Sequence, residues 1–268
     1  PSLVPGAVAS LETEEDLFDP HLLGTYLFAT GIPVRESVFK VTFPENVKIN
    51  YKLLNDSKGK VEFKEEKRKG KTTYTFTARD IDEIKFEENA PDFRYYSPHL
   101  ILYIERYSSD GKVTEVLPDL NGLFKWYNEL VEKVKNDASA ELKSLADSIN
   151  RSNADKESQL KGAVYWQQDN IKYIAFEDGL GGFVPRNPSD VLRKRYGDCK
   201  DKAYLLSLLL NQMGFEAYPA WIGTRDIPYS YHEISTPAVD NHMITALRWN
   251  QRWKLSETIW NWSNCNSL

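Results

Sequence analysis

Two side chains in this sequence could together do acyl-transfer chemistry: the thiol of Cys199 and the imidazole of His242. Each stands at the start of a different predicted element. Cys199 lies in the run Arg195-Tyr196-Gly197-Asp198-Cys199-Lys200-Asp201-Lys202-Ala203. Gly197 permits a sharp turn, and Asp198 is a good helix N-cap, because its carboxylate can accept a bond from an otherwise unpaired amide of the first turn. Residues 203–213 then read as helix, stopped by Gly214. Cys199 therefore falls in the first turn, at the positive end of the helix macrodipole, where the nucleophilic thiolate is favoured. His242 opens a predicted strand, residues 242–249. Where a thiol and an imidazole meet, the imidazole can take the thiol proton and the sulfur can attack a carbonyl. A third acceptor group normally orients the imidazole. The bland alternative for a cysteine is a small buried hydrophobe; the turn, the cap and the downstream histidine argue against it.

The elements that must position this pair follow from periodicity. Leu205, Leu206, Leu208, Leu209 and Leu210 make the helix apolar almost all round, which predicts burial. Cys199, Ala203, Leu206, Leu210 and Met213 share one face. Residues 216–224 read as a strand, Asn250-Gln251 as a hairpin turn and residues 252–258 as the next strand. Asp198 and Asp201 read as cap and surface charge, and His232 as a less suitable base, since it precedes a Ser/Thr/Pro loop. Trp166, Tyr173, Trp221 and Trp249 are candidate groove residues, although core packing is the favoured role for each, given how much area such a side chain buries.

Upstream, residues 34–43, 47–53, 61–65, 72–78 and 100–107 alternate with period two between turn-forming runs such as Asn55-Asp56-Ser57-Lys58-Gly59, Lys69-Gly70-Lys71 and Ser109-Asp110-Gly111. That predicts an antiparallel β-sandwich. His99, alone in this part, reads as a structural or exposed histidine rather than as a ligand. Near Pro118-Asp119 the pattern turns helical, with a further N-cap at 152–155 and an apolar face of Leu160, Ala163, Val164, Gln167 and Ile171. Gly179-Leu180-Gly181-Gly182 lacks the Gly-Lys-Ser/Thr ending of a phosphate loop and reads as a rim loop. Pro185-Arg186-Asn187-Pro188 reads as a rigid turn.

The 268 residues have a net charge of −5, 15 Tyr and 7 Trp. No basic field argues for nucleic acid, and the mixed-sign run 64–69 reads as a solvated hairpin. The two cysteines, Cys199 and Cys265, are too few for a disulfide scaffold. The helix-start setting argues for a thiol at Cys199 rather than a Cys199–Cys265 bridge. No ligand spacing suggests a metal, and no cofactor is expected. No apolar run approaches the ~18 residues of a membrane span. The chain starts at Pro1 without Met, as a fragment or mature form would.

Taken in order, the 196–203 run, Leu205-Leu206, Met213-Gly214-Phe215-Glu216-Ala217, Asn241-His242 and Trp253-Lys254-Leu255-Ser256-Glu257-Thr258 resemble the bacterial transglutaminase-like superfamily. Ile171-Lys172-Tyr173-Ile174, the glycine-rich loop and Pro185 fit the same resemblance, which covers about residues 120–262. Residues 1–118 more weakly resemble, through Pro5-Gly6-Ala7-Val8, Pro33-Val34 and Ala90-Pro91, the β-rich domain of unknown function that precedes such domains in bacterial envelope proteins.

The resemblance implies an α+β fold: a β-sandwich domain at 1–118, incomplete at its N-terminus, then a papain-like domain at 119–268 with a central helix packed on an antiparallel sheet. It implies Cys199 as nucleophile, His242 as general base and a thioester intermediate that is hydrolysed or passed to an amine, on a protein or peptide. It also implies a periplasmic, cell-envelope or secreted location. The family's Leu-Asp-x-Thr pattern falls on residues 255–258, so Ser256 stands where the family has its third, carboxylate member. A hydroxyl there would support an imidazolium less well, and a bulge could turn Glu257 inward instead. The opposing expectation is a catalytically degenerate module that binds protein or glycan, and Ser256 is its best support.

Overall fold

The computed structural model describes residues 18–85, 87–175 and 179–256. Seven strands come first: β1 (Thr25–Leu27), β2 (Val34–Pro44), β3 (Val47–Leu54), β4 (Val61–Arg68), β5 (Lys71–Ile81), β6 (His99–Ser109) and β7 (Lys112–Glu115). They form two antiparallel sheets, β1-β6-β3 with β7 on β6, and β2-β5-β4. Turn chemistry sets the hairpins. Lys69-Gly70 and Asp110-Gly111 each supply two residues at positive φ, the backbone that a two-residue connection needs to match strand twist. Phe43, Phe76 and Ala78 of one sheet meet Ile49, Leu100 and Leu102 of the other in a common apolar core. β6 is buried on both faces, because Leu100 and Leu102 enter that core while Ile101 enters a different one.

The strands then give way to helices α1 (Leu120–Glu132), α2 (Ser139–Ser152) and α3 (Lys156–Asn170). Asp119 caps α1 through Gly122 N at 2.9 Å, and Asp155 caps α3 through Ser158 N at 2.9 Å. The predicted α3 face is the buried one. A short parallel pair, β8 (Lys172–Tyr173) and β9 (Tyr196–Gly197), brackets α4 (Pro188–Lys194). The predicted rigid turn at 185–188 is thus partly the first turn of a helix, with Pro188 at its N-terminus, where a missing N–H costs nothing. Helix α5 (Cys199–Gln212) follows, then the antiparallel sheet β10 (Glu216–Ile222), β11 (His242–Trp249) and β12 (Arg252–Ser256), in that order. Asn250 and Gln251, both at positive φ, close the last hairpin.

Helix α5 packs into the core of this half: Leu205, Leu206, Leu209, Leu210 and Met213 meet Leu142 and Ala146 of α2, Leu160 and Val164 of α3, and Leu247 of β11. The strand-rich and helical parts also share a core. Ile101 of β6, Val116 and Leu117 of the connection, Trp126, Tyr127 and Leu130 of α1, and Ile234 and Val239 of the loop before β11 form one cluster. Two hydrogen bonds cross as well: Tyr229 Oη lies 2.6 Å from His99 Nε2, and Tyr95 Oη donates to Arg225 O at 2.8 Å. His99 is fully buried, its Nδ1 facing Ser97 O at 2.7 Å, and burial lowers its basicity. Of the structural and exposed settings expected for it, the structural one is observed.

Because that core is shared, Ile101→Ala is predicted to cost about 2–5 kcal/mol and to lower a single unfolding transition. Denaturant unfolding followed at once by tryptophan fluorescence and far-ultraviolet dichroism tests this; two separate transitions, with only the first displaced, would contradict it.

Candidate active site

The site is built at the N-terminus of α5. Asp198 has extended backbone and its Oδ1 accepts from Asp201 N at 3.2 Å, while Asp201 Oδ2 accepts from Asp198 N at 3.1 Å. This reciprocal capping box satisfies two amides that the helix cannot pair itself. Asp201 does more than the surface charge expected from sequence. It is buried, and Arg186 holds it with backbone N to Oδ1 at 2.7 Å, Nε to Oδ2 at 2.9 Å and Nη2 to Oδ2 at 2.7 Å. Arg186 Nη2 also donates to Tyr196 O at 3.1 Å, so the same guanidinium fixes β9. Gly197 is demanded by close approach: a Cβ there would stand 2.7 Å from Asp201 Cβ.

Lys200 is buried too and paired with Asp198. Burial pushes the Asp198 carboxyl up, and the Lys200 ammonium works against that. Lys202 is buried, and desolvation holds its ammonium below the ordinary lysine range. The lysines that flank Cys199 in sequence are therefore interior groups.

Cys199 is 5% exposed and clusters with Ala203, one turn on, with Met243 of β11 and with Trp221 of β10. Thr245 Oγ1 donates to Ala203 O at 3.1 Å, which ties β11 to the first turn of α5. His242 is the first residue of β11, paired with Ile222 and adjacent to Met243. The start of the helix and the start of the strand thus lie together. Ser256 pairs with Thr245, three residues from His242, or about 10 Å along an antiparallel strand. β12 runs towards His242 as it reaches Ser256. Glu257 and Cys265 lie outside the described residues.

Aromatic side chains wall the site. Tyr127 stacks on Trp221 with ring centres 5.3 Å apart, and Phe183, just after the glycine-rich turn, lies 5.5 Å from Trp221 and 5.1 Å from Trp126. Of the four groove candidates, Trp221 packs beside Cys199, Trp166 and Trp249 pack against the α5 core, and Tyr173 is exposed. His232 is exposed in the loop before β11. Sequence reading missed Arg186 and Asp240. Arg186 was visible only as part of a Pro-flanked turn. Asp240 is a buried carboxyl two residues before His242 that takes a bond from Tyr127 Oη at 2.7 Å.

Removing Arg186 would strand the fully buried Asp201 carboxylate. Arg186→Ala is therefore predicted to cost about 3–5 kcal/mol, measured by urea unfolding; a loss under about 1 kcal/mol, the value of an exposed pair, would contradict the structural role given to Arg186.

Residues 1–85 match DUF3857, a domain of unknown function with a solved structure. No curated protein matches the chain. Among solved structures it is similar to a "putative protease" from Parabacteroides distasonis, with a TM-score of 0.71 and 17% identity over 90% of this chain. The chain spans 44% of that protein's length. It also matches a "putative cysteine protease" from Cytophaga hutchinsonii, with a TM-score of 0.37, 14% identity and coverage of 88% of this chain and 73% of that one. The periplasmic domain of TgpA from Pseudomonas aeruginosa matches with a TM-score of 0.34, 11% identity and coverage of 91% and 84%. The likeness to the Parabacteroides distasonis structure is one of fold, helices with antiparallel sheets.

Proposed function

We propose that this protein is a cysteine enzyme of the transglutaminase-like type that cleaves or transfers an amide acyl group, on a protein or peptide, through a thioester at Cys199. What carries the reading is the meeting of two element starts: the first turn of α5 and the first residues of β11, held by the Thr245–Ala203 bond and by the contact of Cys199 with Met243. In this reading His242 takes the thiol proton. The sulfur adds to the amide carbonyl, the C–N bond breaks, and His242 returns its proton to the leaving amine. Water or a second amine then releases the acyl group. The helix macrodipole favours the thiolate.

The third member comes from β12 or the residues just after it: Ser256 or Glu257. Ser256 stands where the family has its carboxylate. What supports Glu257 is its charge, and the direction of β12, which runs towards His242 up to Ser256. The division into a β-sandwich at 1–118 and a transglutaminase-like domain at 119–268, and a periplasmic or envelope location, belong to the same proposal. Among the described residues no helix is long and apolar enough to cross a membrane.

Alkylation of Cys199 by iodoacetamide, read site by site by mass spectrometry across pH, tests the proposal. Cys199 is expected to react ahead of Cys265 below the ordinary thiol pKa of about 8.5, and His242→Ala to slow it at least tenfold near neutral pH. Ser256→Asp should speed the reaction near pH 6–7 if Ser256 is the third member, whereas Glu257→Gln should slow it if Glu257 is. Reactivity of Cys199 that ignores His242 would favour the module that binds protein or glycan without chemistry.

A further inference from the structure

The loop that leads into β11 ends on a buried carboxyl whose hydrogen bonds can be counted proton by proton. Asp240 is 8% exposed. Tyr127 Oη, from α1, donates to its Oδ2 at 2.7 Å. Tyr231 Oη, from the loop itself, lies 2.5 Å from its Oδ1 and also 3.1 Å from the carbonyl oxygen of Trp221, in β10. Tyr231 has one hydroxyl proton and two oxygens within reach. With Asp240 ionised, that proton serves one oxygen and leaves the other contact without a donor. With Asp240 protonated on Oδ1, the carboxyl donates to Tyr231 Oη, Tyr231 donates to the Trp221 carbonyl, Tyr127 donates to Oδ2, and every contact holds a proton.

Among the described residues no hydrogen bond or ion pair joins Asp240 to a cation. The side-chain groups bonded to its carboxyl are the two tyrosine hydroxyls. An isolated carboxylate in such a place is expensive, and it is the neutral form that burial favours. Desolvation raises the Asp240 carboxyl above its ordinary range, against the opposing effect of the two hydroxyls.

We propose that Asp240 is a neutral carboxylic acid in the folded protein, and that its chain of bonds to Tyr127, Tyr231 and Trp221 makes it a positioning residue for the Cys199–His242 pair. The clamp grips both sides of that site. Trp221 packs beside Cys199 and Met243. Asp240 is joined to His242 by Asn241 alone, and Asn241 is itself fixed: its N donates to Ile222 O at 3.2 Å, and its side chain exchanges two bonds with Thr224, at 2.9 and 2.8 Å. The positioning half rests on the enzyme reading above; the proton assignment does not.

The two halves have separate tests. A carboxyl whose folded pKa lies above its unfolded value of about 3.9 contributes stability that is fully present below that value and is lost as pH rises through the folded pKa. Asp240→Asn keeps one donor and one acceptor but cannot ionise. The melting temperature of Asp240→Asn, minus that of the wild type, should therefore rise between about pH 4 and pH 7. A difference that falls with pH would mean a stabilised carboxylate and would overturn the assignment. For positioning, Asp240→Ala should slow the His242-dependent alkylation of Cys199 roughly tenfold or more at neutral pH, and Asp240→Asn should restore most of it. Tyr231→Phe should slow it likewise should Asp240→Ala not fold. A folded Asp240→Ala or Tyr231→Phe protein with the wild-type alkylation profile would overturn positioning. If the wild type itself shows no His242 dependence, the enzyme reading and the positioning role fall together, while the melting difference still decides the proton.

Discussion

The N-terminus of α5 is the constraint on which the rest of the site depends. A buried helix start has amides that water cannot reach, and they must find acceptors inside the protein. Asp198 and Asp201 supply these through the capping box, and each carboxylate then needs a cation of its own: Lys200 for Asp198 and Arg186 for Asp201. Arg186 in turn binds the carbonyl of Tyr196. One accounting of donors and acceptors therefore fixes the helix start, β9 and the turn before α4 in a single frame. Cys199 is placed by that frame together with its packing against Ala203, Met243 and Trp221.

The strand-rich part belongs to the same mechanical unit. β6 is covered on both faces, and the core on its outer face is completed by α1 and by the loop that runs from β10 to β11. That loop carries Tyr229, held by His99, and Tyr231, bonded to Asp240. Packed side chains and hydrogen bonds thereby join the β-rich half to the residues that precede His242. The aromatic wall of Trp126, Tyr127, Phe183 and Trp221 continues the connection to Cys199.

What was legible in sequence was whatever rests on short-range chemistry. Asp198 as a cap, the buried face of α5, the hairpins at Lys69-Gly70, Asp110-Gly111 and Asn250-Gln251, and the strand opened by His242 follow from turn residues and periodicity, and all are present. Illegible features depend on partners distant in the chain. Asp201 reads as a solvated charge until Arg186, fifteen residues upstream, is brought against it. Asp240 sits in an ordinary polar loop sequence until Tyr127, 113 residues away, is found donating to it. The start of α4 is hidden by Pro188, since a proline marks a turn and a helix start equally well. The pairing of Ser256 with Thr245 is likewise a matter of register, which alternation alone does not set.

The claim that the starts of α5 and β11 form one thiol–imidazole pair is tested most directly by the ultraviolet absorbance of the thiolate as pH is raised. The wild-type signal minus that of Cys199→Ser isolates Cys199 from Cys265. The predicted result is a thiolate that forms well below the ordinary thiol pKa of about 8.5, with a midpoint that moves up by at least one pH unit, roughly 1.4 kcal/mol, in His242→Ala. A Cys199 thiol that titrates in the ordinary range, unchanged by removal of His242, would contradict it.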